Sequence, residues 1–112
     1  MKFRNILLMI AASVFMAACS GMANPKTEKF KVYGNCGMCK KTMETALMEK
    51  GIQGNWDKNT KMMEVTYDSL KYTSQQVHEI IAQSGYDTEK ATADDQTYNN
   101  LHECCKYERK GK

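Results

Sequence analysis

From Lys29 onward the apolar positions become periodic. Phe30 and Val32 alternate with Lys29, Lys31 and Tyr33, the period of two expected of a half-buried strand. The stretch from Cys39 to Lys50 puts Met43, Ala46 and Leu47 at i, i+3 and i+4, one apolar helical face, and Gly51 supplies a stop. Residues 52–57 read as a weaker strand, with Ile52 and Trp56 inward and Gly54 and Asn55 opposing it. Asp57-Lys58-Asn59-Thr60 has turn chemistry. The clearest strand is Lys61 to Tyr67, where Met63, Val65 and Tyr67 alternate with Met62, Glu64 and Thr66. A second helix follows, capped by Thr73 or Ser74, with Gln76 where a capping-box partner of Thr73 belongs. Val77, Ile80, Ile81 and Ser84 give its inner face, Gly85 ends it, and Tyr86 to Lys90 is a short last strand. The order β-α-β-β-α-β predicts an α+β two-layer sandwich over residues 29–90.

The start of the chain has a different pattern. Met1-Lys2-Phe3-Arg4 is a short basic segment, and Ile6 to Ala18 is apolar except for Ser13. That run is shorter than the about 20 residues a membrane span needs, and it suits the apolar part of a secretory signal. Met16-Ala17-Ala18-Cys19 then resembles the lipobox of bacterial lipoproteins, with Met16 where leucine usually stands. The resemblance implies a signal peptide at 1–18, lipidation of Cys19 and a lipidated tether at 19–28. The mature chain would be anchored by lipid to a membrane of the bacterial cell envelope, facing the periplasm; each buried lipid CH₂ adds about 0.8 kcal/mol. A plain secreted protein is the alternative.

Composition narrows the function. A chain of 112 residues suggests one domain plus extensions. The formal charge is +3; removing Lys2 and Arg4 with the leader lowers sixteen basic side chains to fourteen, against thirteen acidic ones. No basic stripe with interleaved aromatics is present, so nucleic acid is not an expected partner. No nucleophile–base–acid set and no phosphate loop are present, so an enzyme is not expected. The nine methionines include no Met-x-x-Met pair. Met43 and Met63 fit core faces, and Met48 and Met62 fit outward ones. His78 falls on the polar side of the second helix and is expected to be solvated.

The candidate chemistry lies in Gly34-Asn35-Cys36-Gly37-Met38-Cys39, at a strand-to-helix turn. A helix N-terminus presents free N–H donors and a partial positive charge, both of which favour thiolate. Two thiolates with no histidine or carboxylate beside them are soft ligands. Cu(I) accepts two-coordinate binding; Hg(II) is the second choice, and Zn(II) is possible only with further ligands. The competing reading is a thiol-disulfide oxidoreductase, since Cys-x-x-Cys before a helix is also a redox arrangement. Against it, the one proline of the chain, Pro25, precedes the fold and cannot face the thiols. A third reading is an inert resting disulfide outside the cytoplasm.

Four landmarks carry a family resemblance. They are Gly-x-Cys-x-x-Cys after the first strand, Gly51-Ile52 opening the second, Val65-Thr66-Tyr67-Asp68 closing the third and Gly85-Tyr86-Asp87 opening the fourth. Residues 29–90 thereby resemble the heavy-metal-associated domain of copper chaperones, metal-pumping ATPases and periplasmic mercury-binding proteins. The resemblance implies a ferredoxin-like βαββαβ fold, Cys36 and Cys39 as the metal ligands, and Tyr86 near the site. It also implies sequestration of the ion or its handover to a metal-transporting ATPase or efflux protein, by a chain expected to be monomeric. One position departs from the family pattern: Asn35 stands where methionine usually anchors the loop, and Met38 lies inside the pair as an auxiliary ligand or as loop packing.

Residues 91–112 form a cysteine-containing tail. Thr92-Ala93-Asp94-Asp95 reads as a helix start, with Tyr98, Leu101 and Cys105 on one face. His102, Cys104 and Cys105 form a ligand-rich patch, and adjacent cysteines rarely bond to each other. Either Tyr98 and Leu101 dock a C-terminal helix with the cysteines incidental, or the patch is an auxiliary metal site. In the second case it stands alone or acts as a lid bringing Cys104 and Cys105 to Cys36 and Cys39.

Overall fold

The structure, a computed structural model, describes residues 22–111. The signal at 1–18 and Cys19 lie outside the described residues. In chain order the elements are β1 (Pro25–Lys31), α1 (Gly37–Met48), β2 (Gln53–Trp56), β3 (Met62–Asp68), α2 (Ser74–Gln83), α3 (Asp95–Asn99) and a 3₁₀ turn (Glu103–Cys105). The strands form an antiparallel sheet in the order β1-β3-β2. The fold is the α+β, ferredoxin-like arrangement.

The alternation in β3 sets the register. Met63 lies opposite Phe30 on one side and Trp56 on the other, and all three side chains are buried. β1 starts at Pro25, inside the stretch assigned to the tether; proline is tolerated as the first residue of a strand. α1 starts at Gly37, ahead of the expected Cys39, and buries Cys39, Met43 and Leu47 against the sheet. Thr73 and Gln76 make the reciprocal capping box of α2: Gln76 N donates to Thr73 Oγ1 at 3.2 Å and Thr73 N donates to Gln76 Oε1 at 2.8 Å.

Two expectations for residues 29–90 fail, and the helix expected in the tail stops at Asn99, with a separate 3₁₀ turn at Glu103–Cys105. Residues 86–90 do not form a strand; they contribute one isolated bridge, Val32 with Thr88. The backbone turns back at once, with Thr88 N donating to Ala91 O at 2.8 Å, and the Thr88 hydroxyl accepts from Lys90 N and Ala91 N. Turn closure by Thr88 therefore ends the pairing. His78, expected in solvent, is buried against Phe30 with ring centroids 3.9 Å apart. Its Nδ1 is 2.6 Å from Thr88 Oγ1. Because that oxygen already accepts two N–H bonds, its proton goes to Nδ1, which leaves a neutral imidazole protonated at Nε2. Burial, with Lys90 nearby, holds the His78 pKa below its ordinary value.

The tail is part of the core. Cys105 and Tyr107 are buried with Trp56, Tyr67, Tyr86 and the apolar residues of both long helices. Tyr98 stands edge-on to Tyr107, and Tyr86 stacks on it.

Candidate metal centre

The loop between β1 and α1 lies flat on the core. A Cβ at Gly34 would come within 2.8 Å of Met43 Cε and 2.9 Å of the Trp56 ring, so only glycine lets the backbone approach this closely. Trp56 is fixed in turn by donating from Nε1 to Val32 O at 3.0 Å. Asn35 is exposed and anchors nothing with its side chain; Met43 from α1 and Trp56 from β2 support the loop from below. The missing methionine before Cys36 is thus compensated from elsewhere in the chain. Asn35 N donates to Cys39 Sγ at 3.4 Å, which turns the loop around that sulfur. Behind it, Lys40 bonds Glu44, Asn55 Oδ1 and Trp56 O, and Glu44 accepts from Trp56 N, tying α1 to β2.

Cys36 is the N-cap of α1, with extended backbone and a half-buried side chain, and Cys39 is fully buried. Their sulfurs are 3.6 Å apart. The tail brings two more sulfurs to the same place. Cys36 Sγ is 3.4 Å from Cys104 Sγ and 3.8 Å from Cys105 Sγ, and the last two are 3.9 Å apart. All these separations are far beyond the about 2.05 Å of a disulfide, so the sulfurs are free thiols. The tail packs Tyr98 and Leu101 against the core and places Cys104 and Cys105 beside Cys36. Cys104 also lies 3.9 Å from the Met38 thioether, and Met38 is otherwise exposed. His102 is exposed; its carbonyl accepts from Cys105 N at 2.8 Å, and its ring is not in the sulfur group formed by Cys36, Cys104 and Cys105.

Tyr98 and Leu101, expected to dock the tail, pack against the core, but two further residues that seat it, Tyr107 and Arg109, escaped the sequence reading. Tyr107 donates its hydroxyl to Gly85 O at 2.8 Å and accepts from Asp87 N at 2.9 Å. Arg109 forks onto Asp87, from Nε to Oδ2 at 3.1 Å and from Nη2 to Oδ1 at 2.9 Å, and also reaches Ala93 O and Asp95. Asp87 further accepts from Ala93 N and Lys110 N. A signal was available in Asp87 of the Gly-Tyr-Asp landmark, but nothing local pairs it with a basic residue twenty-two positions later.

The sulfurs differ in acidity. Burial works against ionisation at Cys36. Hydrogen bonds from the Cys39 backbone, the Cys104 and Cys39 side chains and the Met38 backbone outweigh it and bring the Cys36 thiol down to about 7. Cys105 moves the other way: burial pushes it up to about 12, with the Cys39 and Cys36 sulfurs adding to the shift. The bond to Cys36, more than its slight desolvation, raises Cys104. Tyr86 is buried with no hydrogen-bond partner for its hydroxyl; burial and the nearby Cys105 and Cys39 sulfurs keep it a neutral phenol. Of Cys36, Cys104 and Cys105, Cys36 is therefore the most readily ionised.

No family model and no curated protein matches the chain. Solved structures do. The CopZ metallochaperone matches with a TM-score of 0.53 at 30% identity, over 56% of this chain and 98% of that one. A protein of Bacillus anthracis str. Ames, solved in solution and described as a candidate copper-ion-binding protein, matches with a TM-score of 0.53 at 28% identity, over 58% and 96% of the respective chains. Since nearly the whole of the first relative is matched at that identity, the chain belongs to the heavy-metal-associated family.

Proposed function

We propose that this chain is a carrier of a soft metal ion, with Cu(I) as the cargo, taken up through Cys36 and Cys39. The observation that carries this reading is Cys36 itself: a thiol brought down to about 7, with three other sulfurs within 3.4–3.8 Å. Soft thiolates without neighbouring carboxylates select monovalent copper over hard cations, with Hg(II) next. The names of the matched relatives, a metallochaperone and a copper-ion-binding candidate, support the same cargo. The role is binding and release rather than catalysis. In keeping with the lipobox-like start, we place the carrier on a lipid anchor in the bacterial envelope, handing its ion to a metal-transporting ATPase or efflux protein.

One observation favours a thiol-disulfide role: a Cys36 thiol near 7 would also attack disulfides. Two assays on the reduced full chain separate the readings. Anaerobic titration with Cu(I) against a competing chelator is expected to show tight uptake, and an insulin-reduction assay is expected to show no turnover. Turnover without tight uptake would overturn the carrier.

A further inference from the structure

Resting on the carrier reading, we infer that Cys36, Cys104 and Cys105 form a three-sulfur site for the ion, so that the tail supplies two of its ligands. The argument is metric. With a metal–thiolate bond of about 2.3 Å, two sulfurs across a linear site stand about 4.6 Å apart, and three around a trigonal site stand about 4.0 Å apart. The triangle of Cys36, Cys104 and Cys105 has sides of 3.4, 3.8 and 3.9 Å. The point equidistant from its corners lies about 2.1 Å from each, close to a bonding distance. Cys36 and Cys39, at 3.6 Å, would have to spread by about 1 Å to hold an ion linearly between them. The sulfurs are spaced for a site with more than two of them.

The triangle is built in advance. The 3₁₀ turn, closed by Cys105 N to His102 O at 2.8 Å, presents two adjacent cysteines on one side. Tyr107 is pinned two positions later by its bonds to Gly85 and Asp87, and Leu101 packs at Gly85 on the other flank. The tail is therefore ordered by contacts that involve no sulfur, and an ion need not bear that ordering cost. Cys36 is common to the triangle and to the Cys36/Cys39 pair. An ion entering at the pair reaches the triangle by keeping Cys36 and exchanging Cys39 for the tail thiols. Each thiol that ligates gives its proton to water, and the displaced Cys39 sulfur takes one back; the copper stays Cu(I), and no electron moves.

The test loads the reduced full chain anaerobically with one equivalent of Cu(I) and counts sulfur neighbours by X-ray absorption. Three sulfurs are expected in the wild type. In Cys104→Ser/Cys105→Ser, two are expected, with shorter copper–sulfur distances. Affinity against a chelator should fall by at least about tenfold, the low end of what even an outer-shell loss costs a metal site. Because Cys105 is buried, Cys104→Ser alone, at an exposed position, repeats the test without disturbing the core. Two sulfurs in the wild type, or unchanged affinity in Cys104→Ser, would overturn the three-sulfur site and leave the carrier standing. No uptake by the wild type would overturn both.

Discussion

Cys36 Sγ lies 3.4 Å from Cys104 Sγ although sixty-eight positions separate them. The contact makes the tail part of the centre, and it exists because Tyr107 and Arg109 hold the tail on residues 85–87. The chain thus brings its own second pair of thiols to a cysteine that a strand-to-helix turn already presents.

The Arg109–Asp87 pair is buried on both sides, with side-chain exposures of 8% and 1%. Removing one partner of such a pair leaves an uncompensated charge and costs about 3–5 kcal/mol. Arg109→Ala should lower stability by that amount in urea denaturation. Arg109→Lys should recover only part of it, because an ammonium cannot reproduce the fork. A wild-type urea midpoint in Arg109→Ala would show that the latch does not hold the tail.

The same pair predicts acid sensitivity. Burial opposes ionisation of Asp87, but the Arg109 guanidinium and the Ala93 and Lys110 N–H groups outweigh it and hold the carboxyl below its ordinary 3.8. A carboxyl whose folded value is depressed contributes stability that is complete above the unfolded value and is lost as pH falls through the folded one. Stability should therefore drop as pH falls below about 4, and Asp87→Asn should flatten that part of the profile. Urea midpoints between about pH 6 and pH 2 make the comparison.

Tyr107→Phe removes one hydroxyl and leaves Gly85 O and Asp87 N without their partner in the interior. An unsatisfied buried polar group costs about 1–3 kcal/mol. The variant should lose stability in that range while its far-ultraviolet spectrum stays native. A loss well below 1 kcal/mol would mean that water reaches these groups and the tail is less firmly seated.

Gly34→Ala tests the support beneath the loop. The Met43 methyl can swing away from a new Cβ, but the Trp56 ring is held by its bond to Val32 O. Overpacking of this kind costs about 1–3 kcal/mol. The variant should be destabilised and should retain Cu(I) less well, because the loop that carries Cys36 is lifted. Wild-type stability and retention together would contradict this role for Gly34.

Where a pattern is local, it was legible. The alternation of Met63, Val65 and Tyr67, the Thr73/Gln76 box and the glycine-flanked Cys-x-x-Cys each depend on near neighbours, and each is in place. What depends on distant partners was not. His78 reads as polar on a helical wheel, yet it is buried because Thr88 satisfies its ring and Phe30 covers it. Residues 86–90 have strand-like residues, but the Thr88 turn and the demands on the Asp87 carboxylate take the backbone elsewhere. The helix expected in the tail breaks into α3 and a 3₁₀ turn; that break lets Tyr98 and Tyr107 pack edge to face while Cys104 and Cys105 turn toward Cys36.

The most direct test is the Cu(I) affinity of the reduced full chain carrying Cys36→Ser, measured anaerobically against a chelator beside the wild type. Cys36 takes part in three of the four cysteine–cysteine contacts described above, those with Cys39, Cys104 and Cys105. Its loss should reduce affinity by well over about tenfold. Affinity equal to that of the wild type would contradict a metal centre built on this sulfur.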